Sequence, residues 1–375
     1  MSNESAADRA FLDRTLALAA QAYGETSPNP LVGAVVTHQE RVLGEAFHPR
    51  AGAPHAEPQA LAQALASSIE TAVSHREWTL YVNLEPCTHQ GRTPPCVEAI
   101  LQSPVRRVVV PLVDPDPRVA GRGIATLRAA GLQVDFGCRA AEAAELNHVF
   151  IGRQRRGRPF VALKVALSAD GCISRADGRP TQITGAEAQR HAHRLRAGLD
   201  AILIGVETLR RDRPRLDRRF YAGPGRAPRR LVIDPELRTE PEWLWPGEAP
   251  AVVFCSRPAR DRRGARFAGR AELLSLPAGR SGLDLHALVE GLPELGVWSL
   301  LVEGGGRTHR EFLAEGLWDR FYLYRNPGVE LDGLYWVASD LWAGAAAGLE
   351  PLHREDLGAD RLTVYAHPDS LGLAS

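Results

Sequence analysis

Three short stretches near the start of the chain carry residue types that bind zinc and move protons. His55 and Glu57 lie two residues apart in HAE, and Cys87 and Cys96 each follow a proline, in PC and PPC. One histidine nitrogen and two cysteine thiolates are ordinary zinc ligands, and three protein ligands leave a fourth position open for water, as in catalytic zinc sites. The spacing therefore predicts a catalytic zinc site with Glu57 beside it.

Glu57 decides what such a site does. Zinc lowers the pKa of its water to about 7, and a nearby carboxylate can take that proton and return it to a leaving amine. The order H-x-E, P-C and C is the signature of zinc deaminases, in which the Glu is not a ligand. We therefore predict a hydrolytic deaminase that removes an exocyclic amino group from a heterocyclic ring.

Other interpretations of these residues stay open at this point. An isolated HxE means nothing, and two cysteines separated by eight residues can simply be buried. A structural zinc would need a fourth protein ligand, which His89 could supply. A scaffold that zinc only stabilises would not need Glu57 at all.

The elements around these residues alternate between strands and helices, which predicts an α/β layered sheet. Apolar spacing predicts strands at 31–37, 41–48, 78–84, 105–112 and 133–137. It predicts helices at 7–23, 55–68, 96–103, 123–131 and 140–156. His55 and Cys96 thus open two helices, and a helix N-terminus favours a thiolate ligand.

The length of 375 residues favours two domains, since single cores stop growing near ~250–300 residues. The stretch RQRRGRP (153–159) is interpreted as a linker, and 257–270 is interpreted as an exposed loop. After the linker, strands are predicted at 159–168, 200–205, 229–234, 251–255, 271–276 and 298–304, with helices at 184–198 and 306–316. We predict a first domain over residues 1–152 and a second over 159–375.

Composition restricts the partners. Lys+Arg and Asp+Glu both number 45, so the formal net charge is zero. Nucleic-acid and membrane surfaces attract basic proteins, so we expect neither as a partner. The start MSNESAADRA is too polar for a signal peptide, and an odd count of five cysteines argues against a disulfide framework. We expect a cytoplasmic homo-oligomer that acts on a small molecule.

Longer motifs make the first prediction more specific. SPNPLVGAVV, HPRAGAPHAE, VNLEPCTHQGRTPPC and DPDPRVAGRGI resemble the deaminase half of the bifunctional riboflavin-biosynthesis deaminase/reductase family. The eight residues between the two cysteines are a feature of that family. The resemblance implies a cytidine-deaminase-like three-layer αβα domain acting on a diaminopyrimidinone that carries a phosphoribosylamino group. It also implies a pocket lined by Asn29, His48, His89, Arg92 and Asp114.

Two of these pocket residues have roles that their chemistry suggests. The Asn29 amide could read the pyrimidine edge, and Arg92 could meet a phosphate bidentately. The alternative for Asn29-Pro30 is a turn before a strand. The family commonly has DPNP where this chain has DPDP at 114–117, so the contact expected at Asp116 is altered.

The second half resembles the reductase half of the same family, whose fold is similar to dihydrofolate reductase. LKVALSADGCIS, ITGAEAQRHAHRLRAGLDAILIGVETLRRDRPRL and LLVEGGG carry this resemblance, which is weak after about residue 316. It implies NADPH as cofactor and reduction of the ribosyl chain to ribityl. The implied substrate contacts are Lys164, Thr184, Arg196, Asp212, Leu216, Arg219 and Glu303. The implied cofactor contacts are Ser168, Asp170, Gly171, Gly304, Gly305 and Gly306.

Physical arguments for the second half are individually weaker. Lys164 is the single lysine among 45 basic residues, which marks either a site that arginine cannot serve or an accident of composition. The glycines at 304–306 lie between a strand and a helix, where backbone N–H groups can approach phosphates, although glycine runs also simply end strands. The arginines of 210–219 could bind a phosphate or form a solvated face.

Departures from the reductase pattern leave alternative functions open. The family often has Trp where Gln182 stands and an acidic or amide residue where Arg213 stands, and 325–329 differs from the usual APKLLG type. A deaminase with a degenerate, substrate-binding second domain is one alternative. A nucleic-acid-editing deaminase is another, against which the zero net charge counts.

Overall fold

The computed structural model describes residues 5–71, 77–90, 94–177, 181–245, 250–280 and 282–370. The chain divides into two compact units, one ending at Arg155 and the other running from Arg156 to Ser370. None of the helices within the described ranges is long and apolar enough to cross a membrane.

The first unit is a five-stranded sheet between two layers of helices. Its strands are β1 (Gly33–His38), β2 (Arg41–Phe47), β3 (Trp78–Val82), β4 (Val105–Val110) and β5 (Gln133–Phe136). Its helices are α1 (Ala6–Ala20), α2 (Ala56–Thr71), α3 (Cys96–Leu101), α4 (Arg122–Ala129), α5 (Ala140–Leu146) and α6 (His148–Arg156). The strand order is β2-β1-β3-β4-β5, in which β1 is antiparallel to both neighbours and β3, β4 and β5 are parallel.

Alternation along the strands explains the three layers. Successive strand side chains point to opposite faces, so Val36 packs under α2, α3 and α4 while Val35 packs with Leu12 of α1 on the other face. Helix α2 lies so close to β2 that a Cβ at Gly44 would come within 2.3 Å of the Ala60 carbonyl oxygen. This close approach fixes the start of α2, where His55 lies.

Asn147 interrupts the helix that the sequence predicts over 140–156. Its side chain is buried and bonds both backbone groups of Leu31, accepting from N–H at 2.8 Å and donating to the carbonyl at 3.0 Å. The structure therefore has two helices, α5 and α6, where apolar spacing alone predicted one.

The second unit is built on a nine-stranded mixed sheet. The strands of the whole unit, including those outside this sheet, are β6 (Phe160–Leu167), β7 (Cys172–Arg175), β8 (Ala201–Gly205), β9 (Arg229–Ile233), β10 (Ala251–Ser256), β11 (Ala271–Leu276), β12 (Ala278–Gly279), β13 (Gly282–Leu283), β14 (Ser299–Val302), β15 (Arg320–Arg325), β16 (Gly333–Tyr335), β17 (His353–Leu357) and β18 (Asp360–Ala366). Its helices are α7 (Ala186–Gly198), α8 (Val206–Asp212), α9 (Arg257–Arg263), α10 (Leu285–Gly291), α11 (Gly306–Ala314) and α12 (Ser339–Ala345).

The order of the large sheet is β11-β10-β9-β8-β14-β6-β15-β18-β17. The strands from β11 to β15 are parallel, and β18 and β17 add an antiparallel edge. Two small two-stranded sheets, β12-β13 and β16-β7, lie outside it. Parallel strands end at one edge of the sheet, so the residues after β9, β8 and β14 meet there.

The structure corrects one prediction about a connecting segment and refines another, since the boundary between the two units, at 155/156, lies inside the expected linker. The expected loop at 257–270 contains α9, because the Ser256 hydroxyl caps it at the Ala259 N–H and Phe267 is buried behind it. The expected linker at 153–159 is helical to Arg156, and Arg158 then pairs with both carboxylate oxygens of the buried Asp319. The arginine-rich sequence of α9 hides that helix, because it shows no apolar periodicity, whereas the helical structure up to Arg156 agrees with the helix predicted over 140–156.

Candidate active sites

The three predicted ligands of the first unit converge. The Nδ1 atom of His55 lies 3.1 Å from the Cys96 sulfur and 3.6 Å from the Cys87 sulfur. Zinc bonds of ~2.0–2.1 Å to nitrogen and ~2.3 Å to sulfur place such atoms about 3.5 Å apart in a tetrahedron. The donor set and its spacing therefore fit a zinc ion.

A fourth protein ligand is not part of this group. Within the described ranges, the cluster of metal-ligating side chains contains His55, Cys87 and Cys96, and His89 does not belong to it. Three ligands are the number that a catalytic zinc site uses. The alternative of a structural zinc held by His89 finds no support here.

Each ligand lies next to the end of a helix or strand. His55 immediately precedes α2, Cys87 follows β3, and Cys96 is the first residue of α3. The Cys96 N–H also donates to the Cys87 sulfur at 3.4 Å. Such N–H groups favour thiolates over thiols.

The pKa values of the two thiols move in opposite directions. Hydrogen bonding from Cys96, aided by His55 and opposed by burial, lowers the pKa of Cys87, whereas hydrogen bonding to Cys87 and burial raise the pKa of Cys96. A dication deprotonates a coordinating thiol outright, so metal would hold both as thiolates.

Glu57 lies in the first turn of α2, beside the ligands. Its side chain is buried, and its Oε2 has no hydrogen-bond partner among the described residues. Burial, followed by the charge of Cys87, raises its pKa to about 6. A carboxyl group that titrates near neutral pH and has a free oxygen is suited to taking and returning a proton.

A cavity of about 380 Å³ opens onto Glu57. It is lined by the predicted residues Asn29, His48, His55, Glu57, Cys87, His89 and Asp114. Cys96 is buried behind its wall. Arg92 lies outside the described residues, so its predicted phosphate contact stays a prediction.

Hydrogen bonds orient Asn29 at this cavity. The Nδ1 of His48 lies 3.1 Å from the Pro54 carbonyl oxygen, which makes that nitrogen the donor. Burial lowers the pKa of His48, so its Nε2 is left as an acceptor for the Asn29 amide N–H at 3.1 Å. The carbonyl oxygen of Asn29 is thereby distinguished from its nitrogen, as recognition of a ring edge requires.

Glu85 holds the loop that carries Asp114, a role that the sequence did not reveal. Its buried carboxylate accepts the backbone N–H groups of Asp114, Gly121 and Ile124. Burial raises the pKa of Asp114 to about 7, so this carboxyl group can both donate and accept near neutral pH. Asp116, the departure from the family pattern, bonds the guanidinium of Arg118.

Helix α6 supplies residues that sequence reasoning missed. Phe150, Arg153 and Gln154 line the cavity, and Arg153 also donates to the Pro28 carbonyl oxygen. They are far in sequence from every ligand, so no local spacing could have linked them to the zinc site.

The second unit has a larger cavity, of about 1330 Å³. It lies where the parallel strands β9, β8 and β14 end, beside the middle of β6. Of the predicted residues, it is lined by Lys164, Thr184, Asp212, Arg219, Glu303, Gly304, Gly305 and Gly306. Ligands of open α/β sheets bind at this edge.

A buried ion pair stands behind Lys164. Arg196 donates to both carboxylate oxygens of Glu303 at 2.7 Å, although Arg196 itself does not line the cavity. Burial alone would raise the pKa of Glu303, but Arg196 and Lys164 lower it to about 2. Burial lowers the pKa of Lys164, with Glu303 opposing, and its Nζ lies 5.5 Å from the centre of the Tyr324 ring.

The glycine run is required by packing. A Cβ at Gly304 would come within 2.7 Å of the Thr308 side chain. The Gly305 N–H donates to the Thr208 hydroxyl at 2.9 Å, so it is already engaged. Helix α11 has no side-chain cap, and its first residues, Gly306, Arg307 and Thr308, line the cavity.

The other predicted cofactor residues have local roles. Ser168, Asp170 and Gly171 form the turn between β6 and β7 and are absent from the described cavity lining. Asp170 accepts from the Ser168 hydroxyl and from the backbone N–H groups at 331 and 332. Gly171 has a left-handed φ of +82°. Leu216 is buried and also lies away from the lining.

Contacts with two tryptophan side chains hold the arginine-rich segment 210–219 in place. The Arg213 guanidinium lies 4.3 Å from the centre of the Trp243 ring, and the Trp245 indole donates to the Pro214 carbonyl oxygen at 2.6 Å. Gln182 lines the cavity and donates to the Thr184 carbonyl. The 325–329 segment, which departs from the family pattern, is held against residue 183, since the Asn326 side chain donates to the Ile183 carbonyl oxygen.

Comparison with known proteins matches both units. The cytidine and deoxycytidylate deaminase zinc-binding region matches residues 5–112, and the RibD C-terminal domain matches 159–329. Riboflavin biosynthesis protein RibD of Aquifex aeolicus is 39% identical over 329 residues, covering 87% of this chain and 89% of that protein. The Escherichia coli RibD is 36% identical over 331 residues, covering 85% and 88%.

Solved structures agree with these sequence matches. Acinetobacter baumannii RibD is 30% identical and superposes with a TM-score of 0.78, covering 96% of this chain and 98% of that one. A Thermotoga maritima diaminohydroxyphosphoribosylaminopyrimidine deaminase/5-amino-6-(5-phosphoribosylamino)uracil reductase is 29% identical, with the same TM-score and coverage.

Proposed function

The chain belongs to the RibD family of riboflavin-biosynthesis proteins, and we propose that its two reactions take place at two separate sites, one in each unit. It is a bifunctional deaminase and reductase that uses zinc and NADPH. The predicted fold class, a cytidine-deaminase-like domain followed by a reductase domain, is confirmed. A degenerate second domain is not favoured, because the family match covers 159–329.

Deamination is proposed to take place at Glu57. The observation that carries this assignment is the convergence of three ligand atoms within 4.8 Å of one another, with the free Glu57 carboxyl oxygen beside them. Zinc would be held by His55, Cys87 and Cys96 and would supply Lewis acidity toward a water molecule. Glu57 takes a proton from the water at its carboxyl oxygen as the water oxygen bonds to the ring carbon that carries the amino group, and it passes that proton to the ring nitrogen. Glu57 then takes the hydroxyl proton of the adduct and gives it to the amino group, so the C–N bond breaks, ammonia leaves, and the remaining oxygen becomes the carbonyl.

The ring is proposed to be held by Asn29 and Asp114. The Asn29 amide, oriented by His48, offers one acceptor and one donor. Asp114 titrates near neutral pH, so it can match either a donor or an acceptor of the ring. The substrate class is a diaminopyrimidinone carrying a phosphoribosylamino group.

Reduction is proposed to be centred on Lys164 and Glu303. NADPH supplies the hydride, and the protein supplies orientation and charge. Glu303 is held ionised by Arg196 and stabilises the ammonium of Lys164. Lys164 can hold a proton at Nζ for the atom of the opened ribosyl chain that gains electrons as hydride adds to carbon.

Two assays on the holoenzyme test this function separately. Ammonia release from the diaminopyrimidinone without NADPH measures deamination, and NADPH oxidation with the purified deaminated compound measures reduction. We expect both activities. Ammonia release without NADPH oxidation would support a degenerate reductase instead.

We also propose a cytoplasmic homo-oligomer with no nucleic-acid or membrane partner. Its zero formal net charge supports the absence of such partners. Sedimentation at micromolar concentration tests the assembly. Binding to RNA or to anionic vesicles at low salt would contradict the rest.

A further inference from the structure

Lys164 shares one face of the large sheet with two tyrosines of the neighbouring strand β15. In the parallel pairing of β6 and β15, Tyr322 lies opposite Lys164, and Tyr324 lies opposite Ala166. Side chains two residues apart on a strand point to the same face, so Tyr324 is a diagonal neighbour of Lys164. On this face, His191 of α7 packs against both tyrosine rings.

Two groups attract the Lys164 ammonium. Its Nζ lies 5.5 Å from the centre of the Tyr324 ring, within the ~6 Å at which an aromatic face attracts a cation. Glu303, which follows β14, supplies the opposite charge. A lysine side chain is a flexible four-carbon stem, so the position of its ammonium depends on such neighbours.

Tyr324 is itself held in place. Its side chain is fully buried, and a hydrogen bond of 2.6 Å joins its hydroxyl to the Nδ1 atom of His191. Burial lowers the pKa of His191 to about 4, although Glu355 opposes this, so the imidazole is neutral near neutral pH. Tyr324 is not part of the described cavity lining, so its ring can act on the reaction only through Lys164.

The remaining charged and titratable groups that face Lys164 do not stabilise its ammonium. Arg196 of α7 is a second cation, and it lowers the pKa of Lys164, as burial does. Burial lowers the pKa of His309 in α11 to about 4, so this imidazole is neutral near neutral pH. Glu303 also bonds Arg196 through both carboxylate oxygens, so its charge does not serve Lys164 alone.

We propose that Tyr324 is a positioning residue for reduction, because its ring holds the Lys164 ammonium in place opposite Glu303. The inference rests on the proposed reductase function of Lys164. In this account His191 fixes the Tyr324 ring, and the ring restricts the lysine stem so that Nζ stays directed at the opened ribosyl chain. The alternative is that Tyr324 only fills the core, as Phe321 does on the other face of β15.

The single lysine of the chain allows this contact to be observed directly. The zinc-loaded full chain, labelled with ¹³C-lysine, should give one Cε signal, which is followed by NMR across pH. In the wild type, the ring should shift the attached protons upfield and give them a nuclear Overhauser effect to aromatic protons. Tyr324→Leu should remove both effects and lower the pKa of Lys164 by about half a unit or more. Tyr324→Phe, which keeps the ring, should retain the upfield shift.

The matched control is Phe321→Leu. Phe321 is as buried as Tyr324 and lies in the same strand, but it stacks on Trp336 and Trp342 on the opposite face. It should leave the lysine signal and its titration unchanged. The same change in Phe321→Leu as in Tyr324→Leu would reduce Tyr324 to a packing role. Absence of the aromatic contact in the wild type would overturn the proposal even if Tyr324→Leu did not fold.

NADPH oxidation with the deaminated compound tests the consequence for catalysis. We expect kcat of Tyr324→Leu to fall by roughly 3- to 30-fold, and by more than KM changes. Its alkaline limb should move to lower pH, because Lys164 loses its proton more easily without the ring. A changed lysine signal with an unchanged kcat and pH profile would refute the positioning role. A wild type that shows the aromatic contact but oxidises no NADPH would instead refute the reductase function on which the inference rests.

Discussion

The two cavities differ in size and in how their functional groups are arranged. In the first unit, about 380 Å³ surrounds three ligand atoms that lie within 4.8 Å of one another. In the second, about 1330 Å³ extends along the ends of neighbouring parallel strands. A metal ion acts at one point, so its protein groups must converge, whereas a dinucleotide needs a long surface that orients it.

The buried carboxylates of the two sites show the same contrast in their electrostatics. Burial raises the pKa of Glu57 to about 6, whereas Arg196 and Lys164 overcome burial and lower the pKa of Glu303 to about 2. Groups whose environments move their pKa values in opposite directions take different roles. Glu57 is suited to exchanging a proton, and Glu303 to remaining a fixed anion.

Replacing Glu57 should produce the largest effect and should affect one site alone. Glu57→Gln removes the exchangeable proton, so ammonia release should fall by roughly 10²–10⁴-fold. Metal analysis should still find about one zinc per chain, since Glu57 is not among the three ligands. NADPH oxidation with the deaminated compound is the internal control and should be unchanged. Normal ammonia release would refute the proton-transfer role.

Replacing Lys164 should give a smaller effect, at the other site. Lys164→Arg keeps the charge but substitutes a planar group that does not release its proton. We expect NADPH oxidation to fall by about 10- to 100-fold, or ~1–3 kcal/mol of transition-state stabilisation. Arg257→Lys, an exposed change in the opposite direction, is the matched control. Equal rates for Lys164→Arg and wild type would mean that the only lysine is an accident of composition.

Residue type and spacing predicted the zinc site because the chemistry of the site depends on them. His55, Glu57, Cys87 and Cys96 form a pattern that can be seen without a fold. Asn147 could not be foreseen, because its partner Leu31 lies 116 residues away and only the packed helices bring them together.

In the second unit, the motif residues did not all reach the cavity. Ser168 and Asp170 are close to Lys164 in sequence, but their side chains form hydrogen bonds that stabilise the turn after β6. The ends of β9, β8 and β14 line that cavity, and only the order of strands in the sheet brings these segments together. Local chemistry is therefore easier to infer from sequence than a surface assembled from several strands.

Shortening the chain should show how much of the first unit the deaminase needs. A fragment of residues 1–156 keeps α6, with buried Ile151 and the cavity residues Arg153 and Gln154. We expect it to bind zinc and release ammonia at a rate near that of the full chain. A fragment of residues 1–150 should have a raised KM and lower stability, because it lacks that cavity wall. Equal activity of both fragments would contradict the role of α6.

The smallest predicted effect concerns stability in acid. Arg107 and Tyr81 hydrogen-bond Asp8 and lower its pKa from 3.8 to about 2. A depressed carboxyl pKa stabilises the fold above pH ~4, and this contribution, of ~2 kcal/mol, is lost as pH falls toward ~2. The free energies of unfolding of fragment 1–156 and its Asp8→Asn variant should therefore differ near neutral pH and converge in acid.

The buried Trp78 reports this unfolding, because it is the only tryptophan in the sequence of that fragment. The matched control is Asp13→Asn, at an acid whose side chain is 50% exposed and pairs with Arg139. It should change stability little at any pH. A constant difference between wild type and Asp8→Asn across pH would show that the Asp8 carboxyl is not held ionised.

The independence of the two sites is tested most directly by product identification with each single variant. Wild type, Glu57→Gln and Lys164→Arg are each given the diaminopyrimidinone with NADPH, and separately the deaminated compound with NADPH, and the products are identified by mass spectrometry. We predict that Lys164→Arg accumulates the deaminated ribosyl compound, and that Glu57→Gln forms the ribityl product only when it is given the deaminated compound. Loss of both reactions in either correctly folded, zinc-loaded variant would contradict two separate sites.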